Sequence, residues 1–175
     1  MKRAVFLDRD GVLNDAIVKD GKPHPPDSIE QFKISEGAKE ACLLLRDAGF
    51  ELVVVTNQPD VSRGKTTIEQ VNEFHDHLRD HIGITHFYSC FHDDQDACFC
   101  RKPAPGLILN SAQELDIYIQ KSFLVGDRWR DIEAGNKAGC RSIFIDHSFA
   151  EKQPKDYFSK VSSLFDAVPI ILGAN

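Results

Sequence analysis

The stretch Val5-Phe6-Leu7-Asp8-Arg9-Asp10-Gly11-Val12-Leu13-Asn14 joins an apolar run to two carboxylates and a glycine. The apolar residues predict a buried β-strand, and the glycine lets the backbone turn directly after it. In an open parallel sheet, ligands bind beyond the carboxyl ends of the strands. Asp8 and Asp10 therefore stand where one carboxylate can attack phosphorus and the other can donate and accept protons. Taken alone, an Asp-x-Asp pair at a strand end is also common turn chemistry.

Short apolar runs alternate with stretches of helical periodicity along the chain, which predicts parallel strands covered by helices on both faces. The predicted strands cover residues 4–7, 52–55, 86–90, 122–125 and 142–145. The predicted helices lie around residues 38–45, 67–82, 106–115, 132–138 and 161–172. Gly49 marks the end of the first helix, and Thr67 with Gln70 forms a capping-box pattern at the start of the second. We therefore expect a doubly wound, mainly parallel α/β sheet of the Rossmann type.

Composition limits the number of domains and the class of partner. The 175 residues are 42% hydrophobic and contain no repeat or linker, which predicts a single domain over residues 1–175. A formal net charge of −6 without a Lys or Arg run disfavours nucleic-acid binding. The N-terminal apolar run is too short for a signal peptide or a membrane span. We expect a cytoplasmic monomer without a membrane partner.

Two polar segments and one arginine are candidates for the surroundings of the site. The proline-rich stretch 19–27 predicts a mobile active-site loop, because long loops at strand ends often carry function. The tripeptide GKT at residues 64–66 looks like the end of a phosphate-binding P-loop, but Pro59 stands where that motif needs glycine. We therefore reject an ATP site there. Arg63, just before it, either contacts substrate or lies at the surface.

Histidines and cysteines provide two groups of possible metal ligands. His75, His77 and His81 lie on the predicted helix 67–82, and a solvated helix face is the favoured interpretation over a metal site. Cys42 and Cys140 are predicted to be buried thiols. A denser group of three thiols and one imidazole matches a closed, structural Zn²⁺ site, with uncoordinated cysteines as the alternative. Its members are Cys90, His92, Cys98 and Cys100.

Four segments, in order, resemble the motifs of phosphatases of the haloacid dehalogenase (HAD) superfamily. They are DRDGV at residues 8–12, VVTNQ at 54–58, RKP at 101–103 and GDRWRD at 126–131. The resemblance implies a HAD fold and phosphoryl transfer, which depends on charge neutralisation and in-line positioning. Asp8 would then form a phosphoaspartate, and Asp10 would be the general acid and base. Thr56 would bind the transferred phosphoryl group, and Lys102 would neutralise its charge.

The same resemblance implies a Mg²⁺ site. Mg²⁺ takes oxygen ligands, and three would come from Asp8, the backbone carbonyl of Asp10 and Asp127. Asp131 is either a further contributor or a first-turn helix acid. About 46 residues separate the first two motifs and already contain a crossover helix, which leaves little room for a large cap domain.

A zinc loop directly before Arg101 and Lys102 narrows the resemblance to one branch of the superfamily. That branch contains the D-glycero-D-manno-heptose 1,7-bisphosphate 7-phosphatases and the histidinol-phosphate phosphatases. It implies removal of the sugar 7-phosphate, a step toward nucleotide-activated heptose for the lipopolysaccharide core. Arg101 would contact this small phosphorylated sugar, with Asn57 and Arg63 as further substrate-binding candidates. Pro-Asp at residues 59–60 departs from the usual Ser-Gly. Histidinol phosphate as substrate and a non-catalytic phosphosugar-binding module are the alternatives.

Overall fold

The structure, a computed structural model, describes residues 1–174, in which strands and helices alternate. The strands are β1 (Arg3–Leu7), β2 (Ile17–Lys19), β3 (Lys22–His24), β4 (Phe50–Asn57), β5 (His86–Cys90), β6 (Phe123–Gly126), β7 (Arg141–Ile145) and β8 (Ser159–Val161). The helices are α1 (Ala38–Asp47), α2 (Ile68–Ile82), α3 (Gly106–Glu114), α4 (Trp129–Ala138) and α5 (Leu164–Gly173). No helix within residues 1–174 is long and apolar enough to cross a membrane.

One parallel sheet of six strands forms the centre of the fold, in the order β5-β4-β1-β6-β7-β8. The chain builds one side of β1 first and the other side afterwards, so the strand order reverses between β1 and β6. In such sheets the ligand crevice lies at the carboxyl ends of the strands beside this reversal. The doubly wound parallel sheet predicted from the sequence is confirmed, and Asp8 directly follows its central strand.

Two apolar cores cover the faces of the sheet, because successive side chains of a strand point to opposite faces. Val5 and Leu7 of β1 belong to the core that α1, α2 and α5 complete. Ala4 and Phe6 belong to the core that α3 and α4 complete. All four side chains are fully buried, so β1 is fixed from both sides.

Capping explains where two of the helices begin and end. The hydroxyl of Thr67 accepts a hydrogen bond from the backbone N–H of Gln70 at 3.2 Å, which confirms the predicted start of α2. Gly49 follows α1 with a φ of +84°, the left-handed conformation that glycine adopts without strain. The last helix begins at Leu164 rather than near 161, because residues 159–161 pair with β7 as the edge strand β8.

The predicted solvated helix face is wrong for His75. This residue is only 5% exposed, and its ring stacks on Phe87 at a centroid distance of 4.6 Å. His81, six positions on, is exposed as predicted. The buried thiols Cys42 and Cys140 also lie in the two cores, as predicted.

The segment between β1 and α1 contains only a small hairpin, β2–β3, and no helix, so no large cap covers the sheet edge within the described chain. Two hydrogen bonds hold the hairpin and the residues that follow it against the rest of the fold. The backbone N–H of Ala150 donates to the carbonyl of Gly21 at 2.8 Å, and Gln70 Nε2 donates to the carbonyl of Asp27 at 2.8 Å. The stretch 19–27 is therefore partly ordered structure above the site.

Candidate active site

A buried lysine joins two carboxylates at the carboxyl edge of the sheet. Lys102 Nζ lies 2.7 Å from Asp8 Oδ1 and 2.6 Å from Asp131 Oδ1, and it also donates to the carbonyl of Val55 at 2.8 Å. Burial alone would lower the pKa of Lys102, but the charges of Asp131 and Asp8 raise it above its ordinary value. Lys102 is therefore a fixed positive charge beside Asp8.

Three carboxylates meet around this lysine. One oxygen each of Asp8, Asp127 and Asp131 can be chosen so that all lie within 4.8 Å of one another. Burial, followed by the charge of Asp131, raises the pKa of Asp8 to about 7, although Lys102 opposes the shift. Burial and the charges of Asp8 and Asp131 likewise raise the pKa of Asp127 well above its ordinary value. The cluster has more negative charge than Lys102 can balance.

The carboxylate of Asp127 is the member of this cluster that lacks hydrogen-bond partners within residues 1–174. Both of its carboxylate oxygens are buried and accept no hydrogen bond from the described residues. A Cβ atom at Gly11 would stand 1.9 Å from Asp127 Oδ2, so only glycine allows this approach, and its φ of +84° requires glycine as well. Unpaired buried oxygens among like charges fit a small divalent cation that binds oxygen ligands.

Asp10 is held from behind by three donors. Arg9 Nη2 lies 3.0 Å from each carboxylate oxygen, Asn14 Nδ2 donates to Oδ1 at 3.0 Å, and Gln58 Nε2 donates to Oδ2 at 2.9 Å. Burial raises the pKa of Asp10, but the charge of Arg9 and these hydrogen bonds outweigh it and lower the pKa below its ordinary value. Sequence patterns did not identify the roles of Arg9, Asn14 or Gln58.

Residues of the second motif position their neighbours at the end of β4. Thr56 is buried, and its Oγ1 accepts a hydrogen bond from Gln58 Nε2 at 2.9 Å. The amide of Asn57 donates to the carbonyl of Lys102 and accepts from its backbone N–H, both at 3.0 Å. Asn57, a predicted substrate ligand, thus clamps the backbone that presents Lys102, while it also lines the cavity above.

The predicted zinc ligands converge on one point beside β5. Sulfur-to-sulfur distances run from 3.2 Å for Cys90 and Cys100 to 3.6 Å for Cys90 and Cys98. His92 Nδ1 lies 3.3 Å from Cys100 Sγ and 3.5 Å from Cys90 Sγ. A tetrahedral ion bound by sulfur at about 2.3 Å needs only slightly wider separations. The four side chains could therefore hold a metal ion.

A cavity of about 320 Å³ opens above Asp8 and has a basic rim. Every arginine of this rim is paired with a carboxylate of the chain. Arg63 contacts Asp93 and Asp60, Arg101 and Arg130 share Asp94, and Arg128 contacts Glu151. The sequence predicted Arg63 and Arg101 near the site, and both line the cavity. It did not identify Arg128 and Arg130.

The sequence is similar to a family model and to heptose bisphosphate phosphatases of several bacteria. A family model described as HAD-hydrolase-like matches residues 99–159. A D-glycero-beta-D-manno-heptose-1,7-bisphosphate 7-phosphatase of Pasteurella multocida is 38% identical over 156 residues, which cover 83% of this chain and 82% of the relative. A D-glycero-alpha-D-manno-heptose-1,7-bisphosphate 7-phosphatase of Photorhabdus laumondii is 32% identical, with 82% of this chain and 81% of the relative covered.

Solved structures agree with the sequence relatives. The D,D-heptose 1,7-bisphosphate phosphatase of B. bronchiseptica, complexed with magnesium and phosphate, superposes with a TM-score of 0.86. The two chains are 25% identical, and the match covers 99% of each. The likeness therefore spans the whole sheet and both helical layers.

Proposed function

Because this chain belongs to the family of D-glycero-D-manno-heptose 1,7-bisphosphate 7-phosphatases, we propose that it hydrolyses the 7-phosphate ester of that sugar bisphosphate. The observation that carries the proposal is the position of Lys102 between Asp8 and Asp131, beside Asp127. This arrangement presents a carboxylate nucleophile at the carboxyl edge of the central strand. Charge neutralisation and positioning are the main requirements of phosphoryl transfer.

In the first step, Asp8 attacks the phosphorus of the substrate and the bond to the sugar oxygen breaks. The contacts of Asp10 favour its ionised form, and the negative charge of the bound phosphate shifts this balance toward the protonated form. Asp10 then gives its proton to the leaving oxygen, and a phosphoaspartate forms on Asp8. Lys102 balances the charge of Asp8 and of the phosphoryl oxygens. The hydroxyl of Thr56 would donate a hydrogen bond to one of these oxygens. Arg9, Asn14 and Gln58 hold Asp10 in one orientation.

In the second step, water attacks the phosphorus of the phosphoaspartate. Asp10 removes a proton from this water, and the bond between phosphorus and Asp8 breaks. Inorganic phosphate leaves, and both carboxylates return to their starting states. The same side chain thus serves as acid and then as base.

We propose that this site binds Mg²⁺. Its ligands would be Asp8, the backbone carbonyl of Asp10 and Asp127. The unpaired oxygens of Asp127 and the excess negative charge of the cluster support the assignment. Asp131 already contacts Lys102, and it accepts a hydrogen bond from the backbone N–H of Arg128 at 3.0 Å. We therefore propose that Asp131 lies behind the direct ligands of the ion and does not bind the ion itself. Bound Mg²⁺ would neutralise charge on the phosphoryl oxygens.

We assign Zn²⁺ to the Cys90, His92, Cys98 and Cys100 cluster, with a structural role. Four protein ligands leave no open position for chemistry. The backbone N–H of Arg101 donates to Cys98 Sγ at 3.3 Å, so the cluster is directly joined to the segment that presents Arg101 and Lys102. Zinc would fix that segment above the cavity.

We further propose that residues 1–175 form one domain that acts as a cytoplasmic monomer on a small phosphosugar. The two cores share a single sheet, and the cavity volume suits a sugar phosphate rather than a polymer. The absence of a basic run in the sequence also argues against a nucleic-acid partner. Light scattering of the purified protein tests the monomer, and a dimer mass would contradict it.

The substrate proposal is tested by phosphate release from both heptose 1,7-bisphosphate anomers and from histidinol phosphate. We expect kcat/KM to be highest for one heptose bisphosphate anomer. The Asp8→Asn variant should lose at least about 10³-fold in kcat, because it lacks the nucleophile. Asp80→Asn removes the same charge from an exposed position of α2 that does not line the cavity, and it should keep full activity. A higher kcat/KM for histidinol phosphate would overturn the substrate assignment. An Asp8→Asn variant with near wild-type activity would overturn the proposed mechanism.

A further inference from the structure

The short loop between His92 and Cys98 contains Asp93, Asp94 and Asp96, and it brings Asp94 to the rim of the cavity. Its backbone forms one turn of 3-10 helix over Asp94–Asp96. The carboxylate of Asp96 accepts from the backbone N–H of Asp93 at 2.7 Å, and that of Asp93 accepts from the N–H of Asp94 at 2.7 Å. The turn is thus held by its own side chains, and the carboxylate of Asp94 is left free to face the arginines.

Asp94 bridges two arginines of the rim. Its Oδ1 accepts from Arg101 Nε at 2.8 Å and from Arg130 Nη1 at 3.0 Å, and its Oδ2 lies 3.4 Å from Arg130 Nη2. The side chain of Asp94 is 57% exposed, whereas those of Arg101 and Arg130 are 11% and 26% exposed. The carboxylate therefore sits on the solvent side of two partly buried cations.

An exposed ion pair of this kind contributes little to stability, because water and salt screen it. A phosphate dianion offers more charge and more acceptor oxygens than one carboxylate, and guanidinium groups bind it in a forked geometry. The remaining arginines of the rim are occupied: Arg63 by Asp93 and Asp60, and Arg128 by Glu151. A second phosphate entering this cavity meets arginines that already have an anionic partner.

We infer that Asp94 occupies the place of the second phosphate of the substrate and must yield Arg101 and Arg130 when a bisphosphate binds. This inference rests on the proposed function and adds a specificity-determining residue to it. A monophosphate does not need the two arginines, so it leaves the Asp94 contacts in place. Asp94 therefore lowers the affinity of the cavity for any second anion and sets how strongly bisphosphates are preferred.

The test compares Asp94→Asn with wild type on two substrates that share the 7-phosphate. D-glycero-D-manno-heptose 1,7-bisphosphate has the second anion, and heptose 7-phosphate lacks it. We expect the KM for the bisphosphate to fall by roughly 3- to 10-fold in Asp94→Asn, the range that two exposed ion pairs allow. The KM for the monophosphate should change less than about 2-fold, and the melting temperature should stay the same.

Two further variants separate the explanations. Asp80→Asn is the matched charge control, and its KM for both substrates should equal the wild-type values. Arg130→Gln should raise the KM for the bisphosphate alone, because it removes one of the two cations that the second phosphate gains. If Asp94 instead prepares the arginines for substrate, Asp94→Asn will raise the KM for the bisphosphate, and the inference is wrong. An equal fall for both substrates would overturn it as well.

Failure of the proposed function has a different signature. In that case the wild-type protein would release no phosphate from the heptose bisphosphate, and no KM could be compared. Inhibition of p-nitrophenyl phosphate hydrolysis by fructose 1,6-bisphosphate then provides the second measurement. We expect Asp94→Asn to lower the inhibition constant of this bisphosphate and to leave that of fructose 6-phosphate unchanged. Equal inhibition constants in both proteins would overturn the inference alone.

Discussion

At the scale of single residues, Arg9 explains why the acid-base carboxylate has one orientation. Its side chain is fully buried, and its guanidinium carbon lies 5.2 Å from the ring centre of Phe74 and 5.9 Å from that of Phe32. A buried charge needs a partner, and Asp10 supplies it on both oxygens. Arg9 in turn fixes the orientation of Asp10, because rotation of the Asp10 carboxylate would leave the Arg9 charge unpaired among apolar side chains.

His75 carries a consequence of the same buried charge. Burial, followed by the charge of Arg9, lowers its pKa to about 4, and its Nε2 has no hydrogen-bond partner among residues 1–174. The folded state therefore binds this proton less readily than the unfolded chain, whose histidine titrates near 6.5. Stability from a neutral His75 is present above that unfolded pKa and is lost as pH falls toward about 4.

We predict that His75→Phe makes the protein less sensitive to acid. Between about pH 7.5 and pH 5, the wild type should lose about 2 kcal/mol of unfolding free energy that the variant keeps. Urea denaturation at both pH values measures the difference. His24→Phe, at an exposed position of the hairpin, is the control and should keep the wild-type pH dependence. An unchanged acid dependence in His75→Phe would show that His75 is not held neutral.

At the scale of elements, the zinc loop connects metal content to substrate binding. Cys98 is both a candidate ligand and the acceptor for the backbone N–H of Arg101. We predict that Cys98→Ser loses bound zinc, lowers the melting temperature and raises the KM for the heptose bisphosphate about 10-fold or more. Elemental analysis, thermal melting and phosphate release measure the three effects.

Cys140→Ala is the matched control for this prediction. Cys140 is buried in the core beneath α3 and α4 and does not belong to the metal cluster. Its loss should lower stability modestly through packing, while zinc content and KM stay at the wild-type values. Zinc retained at full occupancy in Cys98→Ser would contradict the assignment of the cluster.

The sequence predicted those elements whose signals are local. The apolar run 4–7 and the cap formed by Thr67 are examples, since each depends on neighbours within a few positions. The edge strand β8 was missed because its three residues are strand only through pairing with β7. The hydrogen bond between Gln58 and Asp10 spans 48 positions, and the rings of Phe32 and Phe74 that lie beside the buried Arg9 are also distant from it in the sequence. No periodic pattern encodes such pairs.

At the scale of the whole molecule, the sheet gathers distant segments at one edge. Asp8, Thr56 and Asp127 follow or end three neighbouring parallel strands, β1, β4 and β6, and Lys102 comes from the loop before α3. The parallel order therefore predicts from motif positions alone that these side chains meet. Their concentration has a cost, because the buried carboxylates repel one another in a chain that is already acidic.

This conflict predicts opposite effects of one substitution on stability and activity. Asp127→Asn removes a buried carboxylate that accepts no hydrogen bond from the described residues and faces the like charges of Asp8 and Asp131, so the metal-free protein should melt roughly 2–5 °C higher than wild type. Mg²⁺ should raise the melting temperature of the wild type, because it binds the folded state alone, and should have little effect on the variant. The kcat/KM for the heptose bisphosphate should fall at least about 100-fold in Asp127→Asn. Calorimetry with and without Mg²⁺ measures the first two effects, and Asp80→Asn should behave as wild type in both. Among the carboxylates of residues 1–174, only Asp127 has buried oxygens without a hydrogen-bond partner. If Asp127→Asn still gains stability from Mg²⁺, the ion binds elsewhere and the assignment is wrong.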